Sequence, residues 1–322
     1  MDLIYTNAER VDHGVLSAYT LDLVYGVDVN DNNFELTLGK SEPMLETGAL
    51  IYIEGSEYGG IVDGLRSSSN TETRTSLGRT WHGILDSKIL SPDAGADHLV
   101  VTGDANAILA QLIRRMGLGD LFTVPDVDSG ISIEEYQFAR YVKGYEGIRA
   151  MLTAHGAKPR IRWAGVRVEL SAEPIIDYAD RPVDGDEADV TVERHDGKVN
   201  HLICLGAGEL AKRTVLHLYV DQFGLIGETQ YYTGLYEITE VYDNANAKDL
   251  EELRTEGTER FEELRAIDVV NVTVYEGSEL EYDVGDIIRG LDTSTGNTAQ
   301  AVVTQKIVKI QNGAVSIDYS TK

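Results

Sequence analysis

The stretch Gly206-Ala207-Gly208-Glu209-Leu210-Ala211 matches G-x-G-x-x-A directly after an apolar run. In a dinucleotide fold such glycines let a pyrophosphate approach the N-terminus of a helix. That chemistry needs a helix next. Thr214 to Val220 follows instead, with Val215, His217 and Tyr219 alternating against Leu216, Leu218 and Val220 as in a strand. Asp221 also comes too early for the ribose-binding acid expected about 20 positions on. The motif reads as a glycine-rich connection between strands, and no nucleotide cofactor is expected. Asp28-Val29-Asn30-Asp31-Asn32 opens like a calcium-binding loop, in which alternate oxygens ring the ion. Its sixth position is Asn33 rather than glycine, its twelfth is Gly39 rather than glutamate, and helical flanks are missing. A polar turn is expected there.

The seven histidines, His13, His82, His98, His155, His195, His201 and His217, show no H-x-x-x-H pair, so a zinc site has little support. No G-x-S-x-G elbow occurs. The single cysteine, Cys204, lies in the apolar run His201-Leu202-Ile203-Cys204-Leu205 and reads as a small core residue rather than a nucleophile. Arg160, Arg162 and Arg167 flank Trp163, a combination that can bind single strands by charge and stacking. In this chain local acids are the expected partners of those arginines. No catalytic, cofactor-binding or metal-binding residue is therefore assigned, and no enzymatic activity is expected.

The elements that would position any site are mostly strands. With 322 residues, two or three domains are expected. The 54 acidic and 28 basic residues give a formal charge of −26, a surface that repels nucleic acid and anionic lipid. One cysteine excludes an internal disulfide framework. Met1-Asp2-Leu3-Ile4-Tyr5 lacks the basic start of a signal peptide, and no window approaches the ~20 apolar residues of a membrane span. Synthesis in a cytoplasm without membrane insertion is expected.

Residues 1–95 read as short strands with turn punctuation, among them Phe34 to Leu38, Leu50 to Glu54 and Thr80 to Leu85. Residues 96–180 read as an inserted α/β domain. Asp104 caps a helix whose apolar face is Ala105, Ile108, Leu109, Leu112, Ile113 and Met116. A second helix runs from about Tyr145 to His155. Two strands, Arg160 to Trp163 and Val166 to Leu170, turn at Ala164-Gly165. The acidic, turn-rich stretch Arg181 to Glu187 marks a boundary. Residues 181–322 return to strands, with an acidic helical insertion at about 243–265 in which Gly257 weakens the middle by about 1 kcal/mol relative to alanine. Asn312-Gly313 is a strong hairpin turn. The fold class is mainly β (α+β), with two small β-barrel domains flanking an α/β unit.

Several segments, in order, carry a resemblance. They are Asn33 to Leu38, Leu50 to Gly55, Tyr58-Gly59-Gly60-Ile61-Val62, Gly78 to Leu85, Gly103 to Ala107, Leu205 to Leu210 with Arg213, and Tyr282-Asp283-Val284-Gly285-Asp286-Ile287-Ile288. Together they resemble the tail-hub, or baseplate-hub, proteins of long-tailed siphophages and prophages. The resemblance implies a homotrimer with two β-barrels per chain, so that six barrels form a ring between a sixfold tail tube and a threefold tip. It implies contacts with the distal tail protein, the tape-measure protein and tip fibres, and residence in the virion tail tip. It implies DNA in transit only. The chain ends at Lys322, just past its last strand, so no wall-degrading domain is expected. The alternatives from the residues are a carbohydrate-binding β module for host-wall attachment, given 17 tyrosines and two tryptophans, or a wall hydrolase with unrecognised carboxylates.

Overall fold

The computed structural model describes residues 1–321 except 29, 179, 182, 184–187, 194–197, 222–224, 248, 266–268, 275–280, 293–295 and 312. Most of the Arg181 to Glu187 boundary and the first residue of the Asn312-Gly313 turn thus lie outside the described residues. The protein is mainly β, with four α-helices among the described residues. It divides into two units, residues 1–191 with 270–321, and residues 192–269.

The first unit is built on one long mixed-connection sheet. Strand Tyr19–Gly26 alternates, with Leu21, Leu23 and Tyr25 buried. Its neighbour Asn33–Gly39 matches it with Phe34, Leu36 and Leu38. On the other side it pairs antiparallel with Asn297–Gln311, in the register Leu21↔Ile310, Leu23↔Val308 and Tyr25↔Lys306. Period-two burial on three adjacent strands makes one apolar face, as the pleat requires. This pairing joins the C-terminal strands to the N-terminal ones.

The helices of this unit are α1 (Trp81–Asp86), α2 (Ala105–Arg115) and α3 (Gly144–Thr153). Asp104 caps α2 as expected: its Oδ1 accepts from the backbone N–H groups of Asn106 and Ala107 at 2.9 and 3.3 Å. Gly117 and Gly156 follow α2 and α3 with φ of 69° and 68°, the left-handed backbone that favours glycine. The hairpin Ala157–Ala164 with Arg167–Pro174 turns at Gly165, as expected. The segment Thr80 to Leu85 is a correction, because residues 81–86 form a helix and not a strand. Trp81, His82, Gly83, Ile84 and Leu85 are all buried, so the run carries no amphipathic period to separate helix from strand. Thr80 Oγ1 accepts from Gly83 N–H at 3.3 Å and starts the turn.

The second unit is a four-stranded sheet packed on α4 (Leu250–Arg265). Its strands are His201–Leu205, Val215–Val220, Ile226–Gly227 and Thr239–Asp243. Asp249 Oδ1 accepts from the N–H groups of Glu251 and Glu252 and caps α4, so the helix begins later than the residue 243 expected. Leu253 and Phe261 of α4 meet Leu202, Cys204, Leu216, Leu218 and Val220 of the sheet. Gly257 lies between them. A Cβ there would stand 2.6 Å from Cys204 Sγ and 3.3 Å from Leu218 Cδ1. The glycine that looked like a weakness in the helix is a close approach of helix to sheet.

In an ordinary helix Gly→Ala gains about 1 kcal/mol. Here overpacking, at ~1–3 kcal/mol, outweighs that gain, so Gly257→Ala lowers stability by about 1 kcal/mol in chemical denaturation followed by circular dichroism. Adding Cys204→Ala removes the clashing sulfur and recovers stability. A Gly257→Ala variant more stable than the parent would refute the packing account.

Candidate functional site

The groups singled out in the sequence fall into structural roles. Burial pushes the Cys204 thiol up to about 11, which leaves it protonated and inert near neutral pH. The glycine-rich loop folds back on itself. Gly206 N–H donates to Thr214 O, Thr214 N–H donates to Ala207 O, and Arg213 Nε donates to Gly206 O at 2.9 Å. Gly208 has φ of 106°, and the segment from Glu209 to Thr214, with a three-residue turn at Leu210–Lys212, leads into the next strand. In the Asp28 to Asn33 turn, Asn32 bonds both backbone groups of Gly26, and Asp31 accepts from Asp28 N–H and from Gln305 Nε2. Among the described residues no three His, Cys, Asp or Glu side chains converge on one point.

Arg160 pairs with Glu173 at 2.7 Å and Arg162 with Glu169 at 2.6 Å across the hairpin. Trp163 is buried, stacked on Tyr52 at 4.0 Å and on Trp81 at 5.7 Å. Its ring is engaged in the core rather than offered to a base. Trp81 is fully buried too, so neither tryptophan serves as a platform for a sugar.

Two constellations stand out that the sequence reading did not find. The first lies in the first unit. Lys158 and Lys306 are buried, on strands Ala157–Ala164 and Asn297–Gln311. Lys158 Nζ donates to both oxygens of Asp286 at 2.8 and 2.7 Å and to Asp283 Oδ2 at 2.7 Å. Lys306 Nζ pairs with Glu57 Oε1 at 2.7 Å and reaches Glu281 and Asp283 at 3.5 and 3.8 Å. Asp286 also accepts from Ile176 N–H and Asp283 N–H, so its oxygens are fully used. The turn is shaped by Gly285, with φ of 104°. Burial works against the charge of both lysines, yet the surrounding carboxylates hold both ammoniums above the usual lysine range. Burial raises Glu57, and Lys306 only partly pulls it back. Asp283 is lowered, because the two lysines outweigh its burial. Nearby His82 is driven by burial down to about 3, and its neutral ring meets Tyr25 and Tyr145 edge-on.

The second constellation lies in the second unit, on the sheet face opposite α4. His201, Ile203 and Leu205 share that face with Val215, His217 and Tyr219 and with Thr239, Val241 and Asp243. His201 Nδ1 is 2.7 Å from Glu237 Oε1 and 3.1 Å from Thr239 Oγ1. His201 Nε2 is 2.8 Å from His217 Nδ1. Tyr219 stacks on His201 at 4.3 Å, and Gln230 Nε2 donates to Glu237 at 3.0 Å. The signal for this pair was present: His201 and His217 occupy the same face of neighbouring strands, but strand register is not written in sequence spacing.

No protein-family model matches the sequence, and no curated protein matches it. Solved structures do. The tail protein of Neisseria meningitidis MC58 superposes with a TM-score of 0.58 at 13% identity, covering 100% of this chain and 96% of that one. The 43 kDa tail protein of prophage MuSo2 from Shewanella oneidensis gives 0.60 at 11% identity, covering 100% and 98%. Prophage tail protein gp18 of Listeria monocytogenes EGD-e gives 0.51 at 12%, covering 99% and 94%.

The lysine cluster sets a testable pH dependence. Removing one partner of a buried ion pair costs about 3–5 kcal/mol, so Lys306→Met is destabilised by that order near pH 7.5. In the variant Glu57 loses its cation and its folded carboxyl rises further above the unfolded value. Such a group withholds stability at high pH and returns it as pH falls through its folded value. The deficit of Lys306→Met in thermal melts therefore shrinks from pH 7.5 towards pH 5, and a deficit that grows on acidification contradicts the assignment. With both units and the comparisons in view, the chain has the fold of prophage tail proteins.

Proposed function

We propose that the protein is a structural component of a phage tail, a tail-tip or baseplate hub that assembles as a trimeric ring and lets DNA pass. The observation that carries this reading is fold similarity along the whole length to three tail proteins, with nearly the whole of each of them covered in return. A partial match would implicate a shared module; this one runs the length of the chain. Two sheet-bearing units per chain support the ring. Three chains then present six β units, a way to join a sixfold tube to a threefold tip. The partners in this reading are a second and third copy of the chain, the distal tail protein, the tape-measure protein and tip fibres.

The formal charge of −26 supports a conduit. DNA affinity comes chiefly from cations that release counterions from phosphate. An acidic wall supplies none of that attraction, so the duplex slides past it. The same acidity opposes assembly, because like charges crowd around a pore. Buried apolar contacts between copies supply the attraction.

The ring is thus weakest at low ionic strength and tightens as salt screens it, since the Debye length falls from ~30 Å at 0.01 M to ~8 Å at 0.15 M. Analytical ultracentrifugation across a salt series, alone and with the distal tail protein, reads this directly. A trimer that dissociates as salt rises, or an assembled ring lined by lysines and arginines, would falsify the reading.

A further inference from the structure

We propose that Leu210 is a docking knob at one end of the second unit, seated in an apolar socket on a protein other than this chain. That the partner is another tail component rests on the tail reading. The knob itself is read from the geometry of the glycine-rich loop.

Leu210 is 95% exposed and has φ of 50°. Both features are unfavourable in the chain alone. An apolar side chain of that size is costly to leave in water. Left-handed backbone crowds the Cβ of most residues, and asparagine and aspartate tolerate it better than leucine does. At this exposure the side chain touches almost nothing in its own unit. The contact that repays both costs lies on another molecule.

The loop is built to hold the leucine out. Gly206 N–H donates to Thr214 O and Thr214 N–H to Ala207 O, which closes its base. Lys212 and Arg213 N–H donate to Glu209 O and Leu210 O at 3.1 and 3.2 Å. The Arg213 guanidinium ties Gly206 O to Asp243 of the neighbouring strand. A Cβ on Gly206 would stand 2.9 Å from Leu253 Cδ2, and one on Gly208 would stand 2.7 Å from Lys212 O. The two glycines thus serve the tight fold of a loop whose tip is Leu210. A tip fixed in advance loses less entropy on binding.

The loop also lies at the end of the unit away from its chain connections. It follows Leu205, the last residue of strand His201–Leu205. The chain enters that strand through Val199 and leaves α4 at Arg265, whose Nη1 donates to Val199 O at 2.7 Å. Both connections are therefore at the start of the strand, and the knob is beyond its end.

The flanking charges describe the socket. Glu209 and Lys212 are exposed, and neither pairs with another charge among the described residues. A complementary surface has an apolar hollow with a cation facing Glu209 and an acid facing Lys212. A second copy of this chain, with 54 acids and 28 bases, offers acids freely. Its cations are scarce, and eight of its arginines are already paired internally. A different protein, richer in bases, fits the knob better.

Thermal melts of the purified chain and assembly of tails test this together. Leu210→Asn relieves the left-handed strain, so the chain alone melts roughly 2–4 °C higher. In tails assembled with this variant in place of the parent, the yield of complete particles falls roughly tenfold or more. Leu210→Met keeps an apolar knob and keeps the yield. An asparagine variant that melts lower than the parent, or that assembles as well as the parent, overturns the proposal and leaves the tail reading standing. A parent chain absent from purified tails by mass spectrometry overturns both. Self-association of the purified parent that Leu210→Asn abolishes in ultracentrifugation makes the occupant a second copy and overturns the choice of a different protein.

Discussion

A buried ammonium group is tolerated only where carboxylates meet it, and the first unit contains two. Removing each charge from water costs several kcal/mol, recovered only through good geometry and full hydrogen bonding. Lys158 meets that condition with Asp283 and Asp286, and Lys306 is held by the nearby charges of Glu57, Glu281 and Asp283; both draw on distant parts of the chain. The register Tyr25↔Lys306 places the second lysine beside a tyrosine whose hydroxyl donates to Glu57 O. A slip of two residues between these strands would keep the apolar face inward but carry Lys306 along the strand and away from Glu57. The cluster therefore selects one register among several that apolar alternation alone would accept.

Much of the local structure was legible. The cap at Asp104, the hairpin at Gly165 and the alternation of Phe34, Leu36 and Leu38 are short-range signals, written in three to five residues. The strand that follows Gly208 was legible for the same reason, and it removed nucleotide binding from consideration. What was hidden depends on partners far away in the chain. Lys306 sits in phase with Val308 and Ile310, an inward position in an alternating strand, but nothing nearby announces Glu57. Trp81 to Leu85 is apolar on every side, so its helix was set by packing. Gly257 looked like a helix defect because Cys204, its neighbour in space, is far away in sequence.

The histidine pair was hidden in the same way. H-x-x-x-H spacing is a helical signature, whereas a strand pair brings side chains together through register. Their strands join antiparallel with Ile203 opposite His217, which sets the two rings diagonally on one face. The −26 charge and the fold similarity bear on the whole molecule, while this pair concerns a few square ångströms of it. The two levels of description are independent.

The pairing of Tyr19–Gly26 with Asn297–Gln311 also has a consequence in time. Leu23 meets Val308 only after some 285 intervening positions have been made. At about 5–20 residues per second, a ribosome needs roughly 14–57 seconds to bridge that gap. Throughout that interval one edge of strand Tyr19–Gly26 stands open beside a completed partner, and an open edge is a template for another chain. Nascent copies on one message are crowded together in this state. The long closure thus sets a race between a chain finding its own end and finding its neighbour, and slower translation favours the neighbour.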